Sequence, residues 1–178
     1  MEDNLRLGLI GAGRWGRVYI KTIERMNGFS LVRLASRNPE SRSLVNKDCQ
    51  ISDNWRAVAE AKDLDGVIIA APPIMHAEIT RAAIYASNPV IVEKPLTLDY
   101  ESSKKLVDLA KKNNVNLMVG HVLLFHPAFV KIKEMLDSGM LGDLQYIYSN
   151  RLNLGKIRTE ENVFWSFAPH DIALFQYL

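Results

Sequence analysis

Six residues near the start, Gly11-Ala12-Gly13-Arg14-Trp15-Gly16, constrain the fold of this chain more than any other feature. They follow an apolar run at residues 5–10 and precede a helix-like run at 14–26, so they form the turn of a strand-turn-helix unit. Each glycine has its own reason. The first makes the tight turn, the second lets backbone approach a pyrophosphate, and the third lets the helix pack close to the strand. The helix N-terminus then aims free N–H groups and a positive dipole end at the phosphates. Gly11, Gly13, Arg14, Trp15 and Gly16 are therefore predicted to cradle a dinucleotide, with Trp15, Tyr19, Ile23 and Met26 read as one face of the helix.

The remaining rhythm fits such a unit. Residues 31–35, 65–71, 90–92 and 115–119 read as strands, and 53–61, 75–86 and a run from Thr97, its predicted N-cap, to about Lys112 read as helices. Val67, Ile68 and Ile69 form a continuous apolar run, the mark of a parallel strand buried on both faces. The alternation predicts an α/β fold, a doubly wound parallel sheet of six strands, over residues 1–121. After Gly120 the rhythm changes: Pro127 starts a helix ending near Gly139, residues 144–150 alternate like a half-buried strand, and residues 164–178 are densely apolar. Residues 122–178 are expected to be the beginning of a second α/β domain, for substrate and dimerisation, and the chain reads as cut off. On that expectation it binds cofactor, shows little or no turnover, and associates with itself or another chain.

Composition narrows the class. With 48% hydrophobic residues, 24% charged and a net charge of +2 over 178 residues, nothing asks for nucleic acid or an anionic membrane. The polar start lacks the basic and apolar regions of a signal peptide, and no apolar run approaches the ~20 residues that span a bilayer. The single cysteine, Cys49, excludes an internal disulfide and a cysteine-rich zinc site, and no metal is expected. Cys49 is read as inert and the compartment as cytoplasmic.

Candidate chemistry lies at the carboxyl ends of the strands, where open α/β sheets bind ligands. An NAD-selective site would carry Asp or Glu about 20 residues beyond the glycines. Here stand Ser36 and Arg37, which suit a 2′-phosphate and tip the expectation from NAD(H) towards NADP(H). Ala71, Pro72, Pro73 and His76 follow the fourth strand, with His76 read as a helix-start residue. Glu93-Lys94-Pro95 follows the fifth, and its proline suggests a fixed X-Pro bond. Lys94 beside a bound cofactor would supply positive charge to a hydroxyl losing its proton, although a surface lysine before a turn reads equally well. Arg151, Lys156 and Arg158 are either a diphosphate clamp or a solvated basic loop, and His121 and His126 flank the domain junction. Lys104, Lys105, Lys111 and Lys112 fall on one helix as ordinary surface charge.

In this order and spacing, GAGRWG, AAPPIMHAE, EKP and the late Pro169-His170-Asp171 resemble the Gfo/Idh/MocA oxidoreductase family, from about residue 5 to the end. The resemblance implies an NAD(P)-dependent dehydrogenase acting on a secondary alcohol or ketone of a sugar. It makes Lys94 the lysine that touches nicotinamide and substrate, and His170 the catalytic histidine, base in oxidation and acid in reduction. Many members carry Asp one turn before that histidine; here Ser166 stands instead. Residues 151–171 resemble members acting on nucleotide sugars, notably UDP-N-acetylglucosamine 3-dehydrogenase-like proteins, so Arg151, Lys156, Arg158, His121, Lys94 and His170 are expected to line the substrate site. Family members also form oligomers. Two rival readings use the same scaffold: a redox-assisted lyase or glycosidase, and a non-catalytic dinucleotide-binding module.

Overall fold

The computed structural model describes residues 4–152 and 162–178. The chain divides into two units, Met1–Gly120 and His121–Leu178.

The first unit runs β1 (Leu5–Ile10), α1 (Arg14–Ile23), β2 (Phe29–Ala35), a 3₁₀ turn at Pro39–Leu44, β3 (Gln50–Ser52), α2 (Arg56–Ala59), β4 (Gly66–Ile69), α3 (Pro73–Tyr85), β5 (Val90–Glu93), α4 (Tyr100–Lys112) and β6 (Leu117–Gly120). All six strands pair in parallel, in the order β3-β2-β1-β4-β5-β6. Parallel neighbours need a crossover between them, and the intervening helices supply it. Chain progression reverses between β1 and β4, which leaves a crevice beyond the carboxyl ends of these two strands.

The apolar run of β4 is buried throughout because both sheet faces are covered. Ile10, Val67, Ile69, Val90 and Val92 point to one face, packed with Ile79, Ala83 and Ile84 of α3 and Leu106 and Ala110 of α4. Leu9, Leu34 and Ile68 point to the other, against Ile20 and Ile23 of α1. At the edge away from the crevice Asp63 gathers two cations: Arg6 Nη2 and Arg33 Nε each lie 2.9 Å from its carboxylate oxygens. Those bonds hold its carboxyl below the usual carboxylate range. Cys49 is buried, and that burial pushes its thiol up while Arg42 opposes the shift.

Four local expectations are corrected. The buried face of α1 is Gly16, Ile20 and Ile23, one residue round from the face expected; Trp15 is 40% exposed and Met26 is exposed as well. The glycine decides this, since a Cβ at Gly16 would stand 1.9 Å from the Gly11 carbonyl oxygen, so α1 must turn that position inward. The N-cap of α4 is Asp99, which accepts from the Ser102 N–H at 2.7 Å, while Thr97 is buried and bonds Ser103 Oγ. α3 begins at Pro73, two residues early, because proline's fixed φ suits a first turn. The unassigned sixth strand is β3, three residues too short to show a period.

In the second unit a 3₁₀ turn at Val122–Phe125 leads into α5 (Pro127–Asp137) and, after the residues not described, α6 (Val163–Tyr177). His126 caps α5, its Nδ1 accepting from the Ala128 N–H at 3.2 Å. Phe129 and Tyr177 meet with ring centroids 6.0 Å apart. The strand expected at 144–150 does not form: these residues carry no ladder, and Leu144, Tyr146 and Tyr148 are exposed. A strand is stable only against a neighbour, and the described residues of this unit offer none. Lys156 and Arg158 lie outside the described residues.

Candidate active site

Within the first unit the carboxyl ends of the strands are brought together. Gly11 has φ +98°, the left-handed region that glycine tolerates, and a Cβ there would meet the Ala70 carbonyl oxygen at 2.6 Å. The glycine turn therefore rests directly on the start of the β4–α3 turn. Around Gly13, by contrast, a Cβ would find nothing within 4 Å. Gly13 is also the N-cap of α1, with no side-chain cap and no acidic residue in the first turn. The opening N–H groups of a helix have no partner inside it. Open space over uncapped N–H donors is what a pyrophosphate needs, so these residues fit a dinucleotide. Arg14 and Trp15 are exposed beside that space.

At the end of β2, Ser36 Oγ lies 2.7 Å from Ser41 Oγ and accepts from the Asn38 N–H at 3.2 Å, while Arg37 is exposed. Ser41 is buried, a partner that no local pattern announces. At the end of β5, Glu93 is 7% exposed and accepts from the Tyr19 hydroxyl at 2.8 Å. Tyr19 was read only as part of a helix face; its polar end ties α1 to β5, and burial with the adjacent carboxylate pushes its phenol far up. Gly120 lies against both groups, where a Cβ would meet Glu93 Oε1 at 3.2 Å and Tyr19 Oη at 3.4 Å.

Lys94 follows, partly buried, and its peptide bond to the buried Pro95 is cis. His76 reaches the same loop from α3. It is 1% exposed, with Nδ1 2.7 Å from the Pro95 carbonyl oxygen and Nε2 2.9 Å from that of Ala71. Pro72 and Pro73 stand at the turn between.

In the second unit His170 is partly buried in α6, one residue after Pro169, with Ser166 a turn earlier. Its neighbour Asp171 takes Arg151 in a two-pronged pair, Nε to Oδ2 at 2.6 Å and Nη2 to Oδ1 at 2.9 Å, and also accepts from Ser149 Oγ at 3.0 Å. The Arg151 bonds hold the Asp171 carboxyl below its ordinary range. Arg151, read as a candidate diphosphate ligand, is thus already engaged by a carboxylate. His121, partly buried, opens this unit.

Residues 5–121 match the oxidoreductase family, NAD-binding Rossmann fold (GFO_IDH_MocA). The chain belongs to this Gfo/Idh/MocA family. It is 35% identical over 143 residues to inositol 2-dehydrogenase 4 of Saccharopolyspora erythraea, covering 78% of this chain and 42% of that one. It is 30% identical over 149 residues to the dTDP-3,4-didehydro-2,6-dideoxy-alpha-D-glucose 3-reductase of Saccharopolyspora spinosa, covering 82% and 45%. A crystal structure from Magnetospirillum magnetotacticum MS-1 superposes with a TM-score of 0.84 at 40% identity, over 97% of this chain and 56% of that one. The chain spans about half the length of the curated relatives it matches, 54% for two of them. The β3-β2-β1-β4-β5-β6 order is the one expected of an NAD-binding Rossmann fold. Among the described residues of this family member no helix is long and apolar enough to cross a membrane.

Proposed function

We propose that this Gfo/Idh/MocA protein is the cofactor-binding part of an NAD(P)-dependent dehydrogenase acting on a secondary alcohol or ketone of a polyol or sugar, with a nucleotide sugar as the favoured substrate. The observation that carries the reading is the open, uncapped α1 N-terminus at Gly13, in the same crevice-facing ring of turns as Lys94. Substrate class rests on two relatives, an inositol 2-dehydrogenase and a dTDP-sugar 3-reductase, and on the basic residues from Arg151 onward.

Bound NAD(P) supplies the hydride acceptor or donor. The chain's own residues do the rest. Gly13 keeps side chains out of the pyrophosphate path, Gly11 and Gly16 let the turn and α1 pack close, and the first-turn N–H groups of α1 would bind the pyrophosphate oxygens. Arg37, with the hydroxyl of Ser36, suits a 2′-phosphate, so NADP(H) is favoured over NAD(H). Lys94 stabilises negative charge on the substrate oxygen, and His170 takes its proton in oxidation and returns it in reduction. Arg151 and His121, with Lys156 and Arg158 outside the described residues, are the candidate substrate ligands that the resemblance supplies. The exposed Phe164, Ile172, Phe175 and Tyr177 make self-association the expected state in solution.

Fluorescence titration with NADPH and NADH, beside nicotinamide absorbance on a panel of polyols and nucleotide sugars, tests the reading. Expected are binding of both cofactors and, where turnover is measurable, losses of about 10²- to 10⁴-fold in turnover in Lys94→Ala and His170→Ala, far larger than any loss of cofactor affinity. Failure to bind either cofactor would overturn it.

A further inference from the structure

His76 is a buried, ionisable ring that the proposed chemistry does not use, and its position is unusual for a helix-start residue. Its two nitrogens reach the backbone of two different loops. Nε2 meets the carbonyl of Ala71, which leads from β4 into α3, and Nδ1 meets the carbonyl of Pro95, which directly follows Lys94. Carbonyl oxygens only accept and a neutral imidazole carries one N–H, so the ring donates to one of the two carbonyls and holds its other nitrogen close against the second. β4 and β5 are neighbours in the sheet, but their pairing stops at Ile69 and Val92, short of both loops. Beyond that point His76 is a link between the two chain segments, sealed from water at 1% exposure. On the far side of Ala71 the glycine turn closes in: a Cβ at Gly11 would stand 2.6 Å from the Ala70 carbonyl oxygen and 3.0 Å from the Ala71 nitrogen. Glycine cradle, β4–α3 turn, His76 and the Lys94-Pro95 loop thus form one continuous chain of contacts.

We propose that His76 is a positioning residue: it sets where Lys94 stands relative to the dinucleotide cradle by bridging Ala71 and Pro95. The inference rests on the dehydrogenase reading, in which Lys94 faces the nicotinamide end of the cofactor. The bridge acts at one end of the ligand only. The pyrophosphate end depends on Gly11, Gly13 and α1, and does not need His76 to hold Lys94.

Calorimetric titration of the full chain with two probes separates the ends: the reduced cofactor that the wild type binds more tightly, and the matching ADP-ribose, which lacks nicotinamide. Variants are His76→Ala, His76→Gln, Lys94→Ala and the double His76→Ala/Lys94→Ala. ADP-ribose affinity is expected to stay within about twofold throughout. Cofactor affinity is expected to fall about tenfold in His76→Ala and in Lys94→Ala, and by no more in the double variant, since the two act through one contact. His76→Gln, which keeps an N–H donor, falls between wild type and alanine. Equal losses of both probes in His76→Ala, unchanged cofactor affinity in it, or additive losses in the double variant would overturn the proposal. Should His76→Ala not fold, His76→Gln decides alone, a selective loss of cofactor over ADP-ribose supporting the bridge and no selective loss overturning it. A wild type that binds neither probe overturns the dehydrogenase reading instead.

Discussion

Replacing Tyr19 with phenylalanine removes one hydroxyl and little else, and the structure sets what that costs. The hydroxyl donates to Glu93 Oε1 at 2.8 Å, and the acceptor is 7% exposed. A hydrogen bond to a charged group contributes about 1.5 to 3 kcal/mol, and Tyr19 is only half-buried, so about 1.5 kcal/mol is the expected loss at neutral pH. With an m-value near 2 kcal/mol/M this moves the urea midpoint down by about 0.5 to 1 M. Alkaline pH narrows the difference. The phenol is raised in the folded state, so above the ordinary tyrosine value the unfolded chain binds fewer protons than the folded one and stability falls as pH rises. For one proton held only when folded, that fall is at most about 1.4 kcal/mol between about pH 9 and 11. Tyr19→Phe lacks this loss, so its deficit against wild type should shrink over the same interval. Urea denaturation of wild type, Tyr19→Phe and the control Tyr85→Phe, whose ring is exposed, at both pH values measures it. A neutral-pH midpoint for Tyr19→Phe equal to wild type, or a deficit that stays constant to alkaline pH, would refute the reasoning.

Three further outcomes follow from the geometry. Gly13→Ala should keep the wild-type melting temperature and lose cofactor affinity, because its Cβ meets nothing in the chain, whereas Gly16→Ala should lose both, because its Cβ would stand 1.9 Å from the Gly11 oxygen; thermal melts beside fluorescence titration distinguish them. Ser36→Asp should shift preference from NADPH towards NADH by about tenfold or more in the ratio of dissociation constants, since a carboxylate repels a 2′-phosphate and accepts from a free hydroxyl. Asp63→Asn should cost about 0.5 to 1 kcal/mol at neutral pH, discounted for exposure. Because the native carboxyl is held low, the wild type's advantage is present above the ordinary carboxylate value and is lost as pH falls below about 4, which acid titration of the urea midpoint reads directly.

What the sequence by itself determined is local. Three glycines at fixed spacing, a strand-length apolar run before them and the period of each following segment specify a turn, strands and helices, because turn chemistry and hydrophobic period act over a few residues. From those alone the α/β alternation, the dinucleotide turn, and the Lys94 and His76 loops at strand ends were legible in residues 5–121. What only the tertiary structure decided is pairing. β3 has three residues and exists because β2 lies beside it, while residues 144–150 have the alternation of a strand and, among the described residues, no neighbour to make them one. The rotation of α1 was decided by the Gly11 carbonyl under Gly16, not by the apolar residues on its other side. Tyr19 meets Glu93 across 74 positions, and His76 meets Pro95 across 19. Neither contact leaves a period or a motif in the chain, since a hydrogen bond between distant segments depends on where the sheet brings them and not on which residues stand next to them.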